Sequence, residues 1–353
     1  MKIIYVENGD AAFIRLDEEI LTRNFATRVI HLKNTGRFAY FLQLVKLIVL
    51  LALRLPFASL VYTRFADWHA AITAFFCSLY GKKLLLVLGG YDAAWLPEFA
   101  YGVYHRKTRG KWAKYAIRRA SLILPNNPGL VYNRNDYEPG ITRQGGIDVF
   151  VPERKGKVRV LFNGFYTDYW IPAKEPKHND LVITVAYISN VRTFHIKGVK
   201  DFISAATDLP DLEFRLIGAN QDLLLSWAPE LPGNLTVIES LRRDELLQQY
   251  QEAKVFCLLS ITEGMSNVLC EAMLCECIPV VSDVNFNAEI VGESGFVIKS
   301  RQPDLIRDAI RKAVSADPGK GREARKRVEE NYSIKRREKE LVGILNEAGS
   351  SGQ

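Results

Sequence analysis

The chain has 353 residues, 48% of them apolar and 25% charged, and carries a net charge of +7. That length calls for two domains rather than one, and the balance of apolar and charged residues is that of a globular protein with sizeable cores. It excludes a low-complexity chain, and no period of about 20–50 residues marks a repeat array.

The opening "MKIIYVENGD" reads as a strand and not as a basic-then-apolar leader, so a cytoplasmic protein is expected. The most apolar segment follows, "AYFLQLVKLIVLLALRLPFASLVY". Its longest unbroken apolar run is Leu47 to Leu53, with Gln43, Lys46 and Arg54 interrupting, whereas a membrane span needs roughly 20 apolar residues. The segment is therefore expected to be a buried helix with a narrow polar stripe, and contact with lipid is the competing reading. "SLVYTRF", "KKLLLVLGG", "SLILPNN" and "VRVLFNGF" read as further buried strands. After "KKLLLVL" comes the loop "GGYDAAWLPEFAYG", in which Gly89 and Gly90 open the backbone beside Asp92. Asp92 takes either a polar role toward a substrate or a plain turn. His69, in "FADWHAA", is a second candidate, although a histidine beside a tryptophan at a helix start is more often structural. "HRKTRGKWAKYAIRR", His105 to Arg119, holds seven Lys/Arg and no acid, with Trp112 and Tyr115 among them. A solvated helix face, an anionic membrane surface and a phosphorylated acceptor all suit it. Nucleic acid does not, because no recognition motif accompanies the patch.

Charge is unevenly placed: residues 1–170 hold 24 Lys/Arg against 13 Asp/Glu, and the rest hold 23 against 27. The strand–helix alternation restarts at "LVITVAYIS" and runs through "FRLIGAN", "LTVIES", "KVFCLLS", "IPVVSD" and "GFVIKS". Continuous apolar strands separated by helices mean parallel sheets covered on both faces. Two such series mean two doubly wound α/β domains, 1–170 and 171–335, joined near the proline-rich "YWIPAKEPKHND". The charged amphipathic helix of 336–353 is expected to cross back onto the first domain. Cys77, Cys257, Cys270, Cys275 and Cys277 are few and mostly within apolar runs, so they read as buried reduced thiols. The lone C-x-C at 275–277 lacks a second ligand pair, and no zinc site is expected.

The stretch that carries chemistry is "SITEGMSNVLCEAMLCECIPVVS", Ser260 to Ser282. Seven residues separate Glu263, on the loop after a strand, from Glu271, inside the helix that follows. Ligands of a doubly wound sheet sit beyond the carboxyl ends of its strands. The N–H groups of Gly264, Met265, Ser266 and Asn267 and the helix dipole favour a phosphate there. Glu271 lies roughly 6–8 Å further by helix rise, a distance suited to the two hydroxyls of a ribose, and Glu263 faces what hangs beyond the diphosphate. A lone glutamate near a helix start is usually a surface group answering the dipole; the pair at this spacing is more specific. In "SNVRTFHIKGVKDFISAA", Arg192 and Lys197 follow the first strand of the second half and suit a diphosphate that gathers charge as its bond to a sugar breaks. Used as a hydrolase pair, the two carboxylates would leave the phosphate-shaped loop without a purpose.

With "RTFHIKGVKDFISAA", "LEFRLIGAN", "LLQQYQEAKVFCLLS", "AEIVGESGFVI" and "VRVLFNGFYTDYWIP", this stretch resembles the retaining family 4 glycosyltransferases, nearly continuously from about residue 158 to 335. The resemblance implies an α/β GT-B fold, two Rossmann-like domains facing an interdomain cleft, with the first binding the acceptor. It implies a UDP- or GDP-linked sugar as donor, a glycan or lipid-linked acceptor in polysaccharide or glycolipid assembly, and no metal or other cofactor. Carried onto this chain, Arg192 and Lys197 hold the diphosphate, Glu263 contacts the sugar, Glu271 the ribose, and Gly218 lies by the nucleoside. The family's usual histidine after a first-domain strand is missing here, where Gly89-Gly90-Tyr91-Asp92 stands. Glu276 stands where the family usually has the glycine that ends the helix after Glu271; a glutamate in that left-handed position costs roughly 1 kcal/mol or forces another exit. Two other readings compete: a sugar-nucleotide epimerase on the same fold and a non-catalytic nucleotide-sugar-binding protein. A nicotinamide dehydrogenase is disfavoured, since no G-x-G-x-x-G follows "KIIYVE".

Overall fold

The computed structural model describes residues 1–33, 36–140 and 144–350. They form two compact units: Met1–Asn133, Gln144–Gly164 and the residues from Lys335 onward in the first, and Phe165–Ile334 with 134–140 in the second. The chain enters the second unit before the proline-rich stretch because Phe165 is already paired there. Its N–H donates to the Tyr332 carbonyl at 2.9 Å, and its carbonyl accepts from the Ile334 N–H at 3.0 Å. No composition shift marks 134–140; Tyr137 goes into the second unit's core, and its carbonyl accepts from the Arg301 N–H at 2.8 Å.

The first unit has six parallel strands, Lys2–Asn8, Ala26–Leu32, Leu60–Arg64, Lys83–Leu88, Leu122–Pro125 and Lys157–Val158. Numbered along the unit, their order is 2-1-3-4-5-6. Ala26–Leu32 has no continuous apolar run because it is an edge strand, with Ala26, Arg28 and His31 exposed. "VRVLFNGF" supplies only the two-residue strand Lys157–Val158.

Right-handed crossovers put the helix Ala12–Asn24 on one face of this sheet. The helices Arg37–Arg54, Trp68–Leu79 and Lys107–Arg119 share the other, where Leu47, Leu51, Ala70, Ala74, Ala113 and Ile117 join one core cluster. The first of these three is not the buried helix expected from its sequence. Phe38 is 75% exposed, Leu53 66% and Phe57 76%, and only the stripe of Leu47, Leu51 and Leu55 is fully buried. A helix in an outer layer covers the sheet with one stripe, and here the opposite stripe is apolar as well.

The helix Ile334–Ser350 belongs to the first unit, where Arg337 is its anchor. The Arg337 guanidinium donates to both carboxylate oxygens of buried Asp17, at 2.8 and 3.0 Å, and Arg64 donates to the same carboxylate. Burial alone would raise the Asp17 pKa; Arg337 and Arg64 outweigh it and hold the carboxyl low.

The second unit's parallel strands are His178–Ile188, Glu213–Ala219, Leu235–Ile238, Ala253–Leu258, Ile278–Ser282 and Phe296–Ile298, in the order 3-2-1-4-5-6. The connections change direction between its first and fourth strands, which are hydrogen-bonded neighbours. All five cysteines are free and buried.

The helix Asn267–Leu274 ends in a Schellman motif. The Cys277 N–H donates to the Ala272 carbonyl at 3.0 Å and the Glu276 N–H to that of Met273 at 2.9 Å. Glu276 has φ +63°, the left-handed position that its sequence context requires and that glycine adopts without a Cβ clash. Replacing Glu276 by glycine is expected to raise stability by about 1 kcal/mol. A denaturant midpoint that does not move upward would show that other contacts already offset the strain.

Candidate active site

The carboxyl ends of the second unit's first and fourth strands carry the two charged groups singled out in the sequence. Beyond Ile188, Asn190 caps the short helix Val191–Ile196: its side chain accepts from the Thr193 N–H, while the Thr193 hydroxyl accepts from the Asn190 N–H. That helix ends at Lys197, and Gly198 turns the chain with φ +65°. A Cβ on Gly198 would lie 2.1 Å from the Leu259 carbonyl oxygen. Only glycine lets the Lys197 turn rest on the loop leaving the fourth strand. The Ile261 N–H completes this contact by donating to the Ile196 carbonyl at 2.8 Å.

Across this seam the Lys197 ammonium bonds Glu263 Oε1 at 2.6 Å. Ser260 Oγ donates to the same oxygen at 2.7 Å. The Glu263 backbone N–H donates to Asn285 Oδ1 at 3.0 Å, and Thr262 Oγ1 donates to that atom at 3.1 Å. Asn285 itself has φ +54°. Asn135, reaching in from the 134–140 excursion, donates through Nδ2 to the Ile261 carbonyl at 2.7 Å. Ser282 Oγ holds the Ser260 carbonyl at 2.5 Å. The loop is thus fixed by Ser260, Ser282, Asn285 and Asn135, to none of which the motif reading gave a role.

Glu263 Oε2 has no hydrogen-bond partner among the described residues. Lys197 has spent one of three N–H donors on Glu263. Arg192, in the short helix after the first strand, is half-buried and makes no ion pair among the described residues. The helix Asn267–Leu274 starts at the same end of the sheet. Its N-cap Ser266 does not cap it through the side chain, and Met265 and Ser266 are buried. Gly264 lies half-buried between Glu263 and these residues. The arrangement offers positive charge, helix N–H groups and one open carboxylate oxygen at a strand-order switch, which suits an anion with a hydroxyl-bearing group attached.

Glu271 sits half-buried in the middle of that helix, and burial pushes its carboxyl from 4.5 up to about 7, against the pull of Arg243. Arg243 stacks over the rings of Tyr169, at 4.1 Å, and Trp170, at 5.2 Å. Gly218 is near the end of the neighbouring strand Glu213–Ala219. Its φ is +104°, and a Cβ would stand 2.4 Å from the Ala186 carbonyl oxygen, so close strand packing alone requires glycine there.

The first-unit candidates lie at the carboxyl ends of that unit's third and fourth strands. Asp92 is buried; Oδ1 accepts from the Gly89 N–H at 3.0 Å and the Gly90 N–H at 2.9 Å, and Oδ2 from the Ala66 N–H at 3.1 Å. It clamps a turn in which Phe65 holds φ +67° and Gly90 φ +138°. An aromatic residue in the left-handed region is strained, and such strain collects at functional sites. His69 is fully buried, its Nε2 hydrogen-bonded to the Arg64 carbonyl at 2.8 Å, and burial lowers its pKa. Of the basic patch, Arg109 is tied to Asp67 and Arg118 to Glu153. Arg106, Lys107 and Lys111 are exposed and form no ion pair among the described residues.

Residues 173–333 match the family model described as glycosyl transferases group 1. The matched segment carries Arg192, Lys197, Glu263 and Glu271. Sucrose-phosphate synthase from Thermosynechococcus elongatus superposes with a TM-score of 0.76 at 14% identity, covering 100% of both chains. HepE from Anabaena, solved with UDP-glucose, gives 0.70 at 15% identity, covering 98% of this chain and 100% of that one. A UDP-forming α,α-trehalose-phosphate synthase from Burkholderia xenovorans, solved with glucose-6-phosphate, gives 0.66 at 12% identity, covering 98% and 100%. No curated protein sequence matches the chain. At these identities the likeness establishes the fold, GT-B with two Rossmann-like units.

The raised Glu271 pKa has a measurable consequence. Folding takes up a proton there between pH 4.5 and about 7, so this group favours the folded state below pH 4.5 and that contribution is lost as pH rises through 7. Glu271→Gln is expected to be more stable than the parent in denaturant titrations at pH 8 and no more stable at pH 4. An equal effect at both values would contradict the buried, proton-binding carboxyl.

Proposed function

We propose that the protein is a retaining glycosyltransferase that moves a sugar from a UDP- or GDP-linked donor to an acceptor hydroxyl, without a metal. The observation that carries this reading is the Lys197–Glu263 pair at the strand-order switch, with Glu263 Oε2 open. The match of residues 173–333 to group 1 glycosyl transferases supports it. UDP-glucose in the Anabaena neighbour supports the donor class.

In this reading the donor's diphosphate lies along the N–H groups from Gly264 to Asn267. Lys197 keeps one N–H on Glu263 and turns the other two to phosphate oxygens, and Arg192 reaches them from the short helix Val191–Ile196. As the bond between the anomeric carbon and the phosphate oxygen breaks, its electrons go to the phosphate, where charge grows toward these donors; the acceptor oxygen bonds the anomeric carbon and its proton passes to the departing phosphate. Glu263 Oε2 accepts from a sugar hydroxyl and holds the anomeric carbon in place. Glu271 takes the ribose hydroxyls, and the strand end at Gly218 lies by the nucleoside. The first unit takes the acceptor, and Asp92 shapes its Gly89–Gly90 loop at the carboxyl ends of the strands. The acceptor is a glycan or a lipid-linked glycan of a surface polysaccharide or glycolipid. The basic face around Lys107 and Lys111 suits a peripheral position on the cytosolic side of a membrane.

A thermal-shift screen against nucleotide sugars will identify the donor, since a ligand that binds only the folded state raises the melting temperature. With that donor, Glu263→Gln is expected to lower kcat about 100-fold or more, the scale of removing one transition-state contact, while donor affinity changes little. Near-normal transfer by this variant would overturn the role of Glu263. Isomerised donor without acceptor would instead indicate an epimerase, and affinity without turnover a binding protein.

A further inference from the structure

The helix Arg37–Arg54 and the short turn Leu55–Phe57 pose a problem that glycosyl transfer does not solve. The stretch Phe38–Phe57 is long and apolar enough to cross a membrane by length and composition. It cannot leave the first unit to do so, because Leu47, Leu51 and Leu55 belong to the same core cluster as the strands beneath. Its opposite stripe is apolar too. Phe41 is 60% exposed, Val45 43% and Val49 52%, and these three follow one another at one helical turn on the side away from the core. Phe75 and Leu79, on the next helix of the same layer, are also exposed. Contiguous apolar surface of this kind marks an interaction site.

Charge indicates what covers it. At the carboxyl end of the helix, a groove of about 640 Å³ is lined by Lys2, Arg28 and Arg54, together with Leu53 and Phe57, and contains no acidic residue. None of its three cations forms an ion pair among the described residues. On the other side of the layer, the helix Lys107–Arg119 exposes Lys107 and Lys111. An apolar stripe flanked by unpaired cations is complementary to a surface that is apolar inside and anionic outside. A second copy of this chain would bring its own cations against these.

We propose that Phe38–Phe57 lies in the plane of a bilayer, with its Phe41–Val45–Val49 stripe among the acyl chains and an anionic phospholipid headgroup in the Lys2–Arg28–Arg54 groove. A helix about 27 Å long lying this way sinks roughly 5–10 Å into the boundary between headgroups and chains. The inference extends the peripheral placement proposed above and does not rest on the catalytic reading. It makes attachment depend on insertion as well as on charge.

The test is flotation of the full chain with vesicles of phosphatidylcholine, alone or doped with phosphatidylglycerol, at low and high salt. The protein is expected to float with the doped vesicles and to remain partly bound at high salt, where charge attraction alone is screened. The triple variant Phe41→Ser, Val45→Ser, Val49→Ser is expected to lose at least about 100-fold in partitioning, since three buried apolar side chains are removed. It should keep its melting temperature and its response to nucleotide sugars, because the changed groups lie outside the core. Arg28→Gln with Arg54→Gln should weaken the preference for the doped vesicles. Failure of the parent to float, or equal flotation of the triple variant, would overturn the proposal. So would a parent dimer in light scattering that the triple variant converts to monomer, since the occupant would then be a second copy. None of these outcomes bears on transfer to a soluble acceptor, which is measured separately.

Discussion

A doubly wound parallel sheet must reverse the direction of its connections once, and in the second unit the reversal falls between His178–Ile188 and Ala253–Leu258. The loops leaving these neighbouring strands run to opposite faces and leave a crevice at their carboxyl ends. Lys197 comes from one loop and Glu263 from the other. Their pairing is therefore a product of topology before it is a product of chemistry. Gly198 is the residue that makes it close, because any side chain there would strike the Leu259 backbone.

Lys197 keeps about a third of its side-chain surface exposed, Glu263 only about a tenth, and each still has bonding capacity left over. A fully buried pair would resist being opened by a ligand. Asp17 with Arg64 and Arg337 is the contrasting case: all three are buried, both guanidinium groups donate to the one carboxylate, and they hold the C-terminal helix to the first unit. The first unit thus uses buried charge for architecture, while the second keeps a pair whose lysine is still partly open to solvent. Glu271 is intermediate, with burial bringing its carboxyl to about 7, where a ligand that bonds the carboxylate also selects its ionised form.

Much of the second unit was legible in the sequence. "KVFCLLS" and "LVITVAYIS" are buried parallel strands, and the spacing of Glu263 and Glu271 places one on a loop and the other in a helix, as the fold has them. At Glu276 the sequence left a strained left-handed exit and a different exit open, and the structure has the left-handed one. What sequence could not show was the second layer of partners. Ser282, Asn285 and Asn135 are ordinary polar residues until a fold brings three separated segments together. The excursion 134–140 was invisible for the same reason. The helix Arg37–Arg54 was misread because an all-round apolar helix is usually buried, and periodicity cannot say whether a second layer will cover its outer stripe.

The central claim is that a nucleoside diphosphate binds where the second unit's first and fourth strands end. It is tested most directly by calorimetric titration of UDP and GDP into the parent and into variants with Arg192→Met or Lys197→Met. One of the two nucleotides should bind the parent, and each substitution should weaken that binding about 10- to 100-fold, the worth of one charge-assisted contact. Binding of equal strength to parent and variants would put the diphosphate elsewhere and contradict the account.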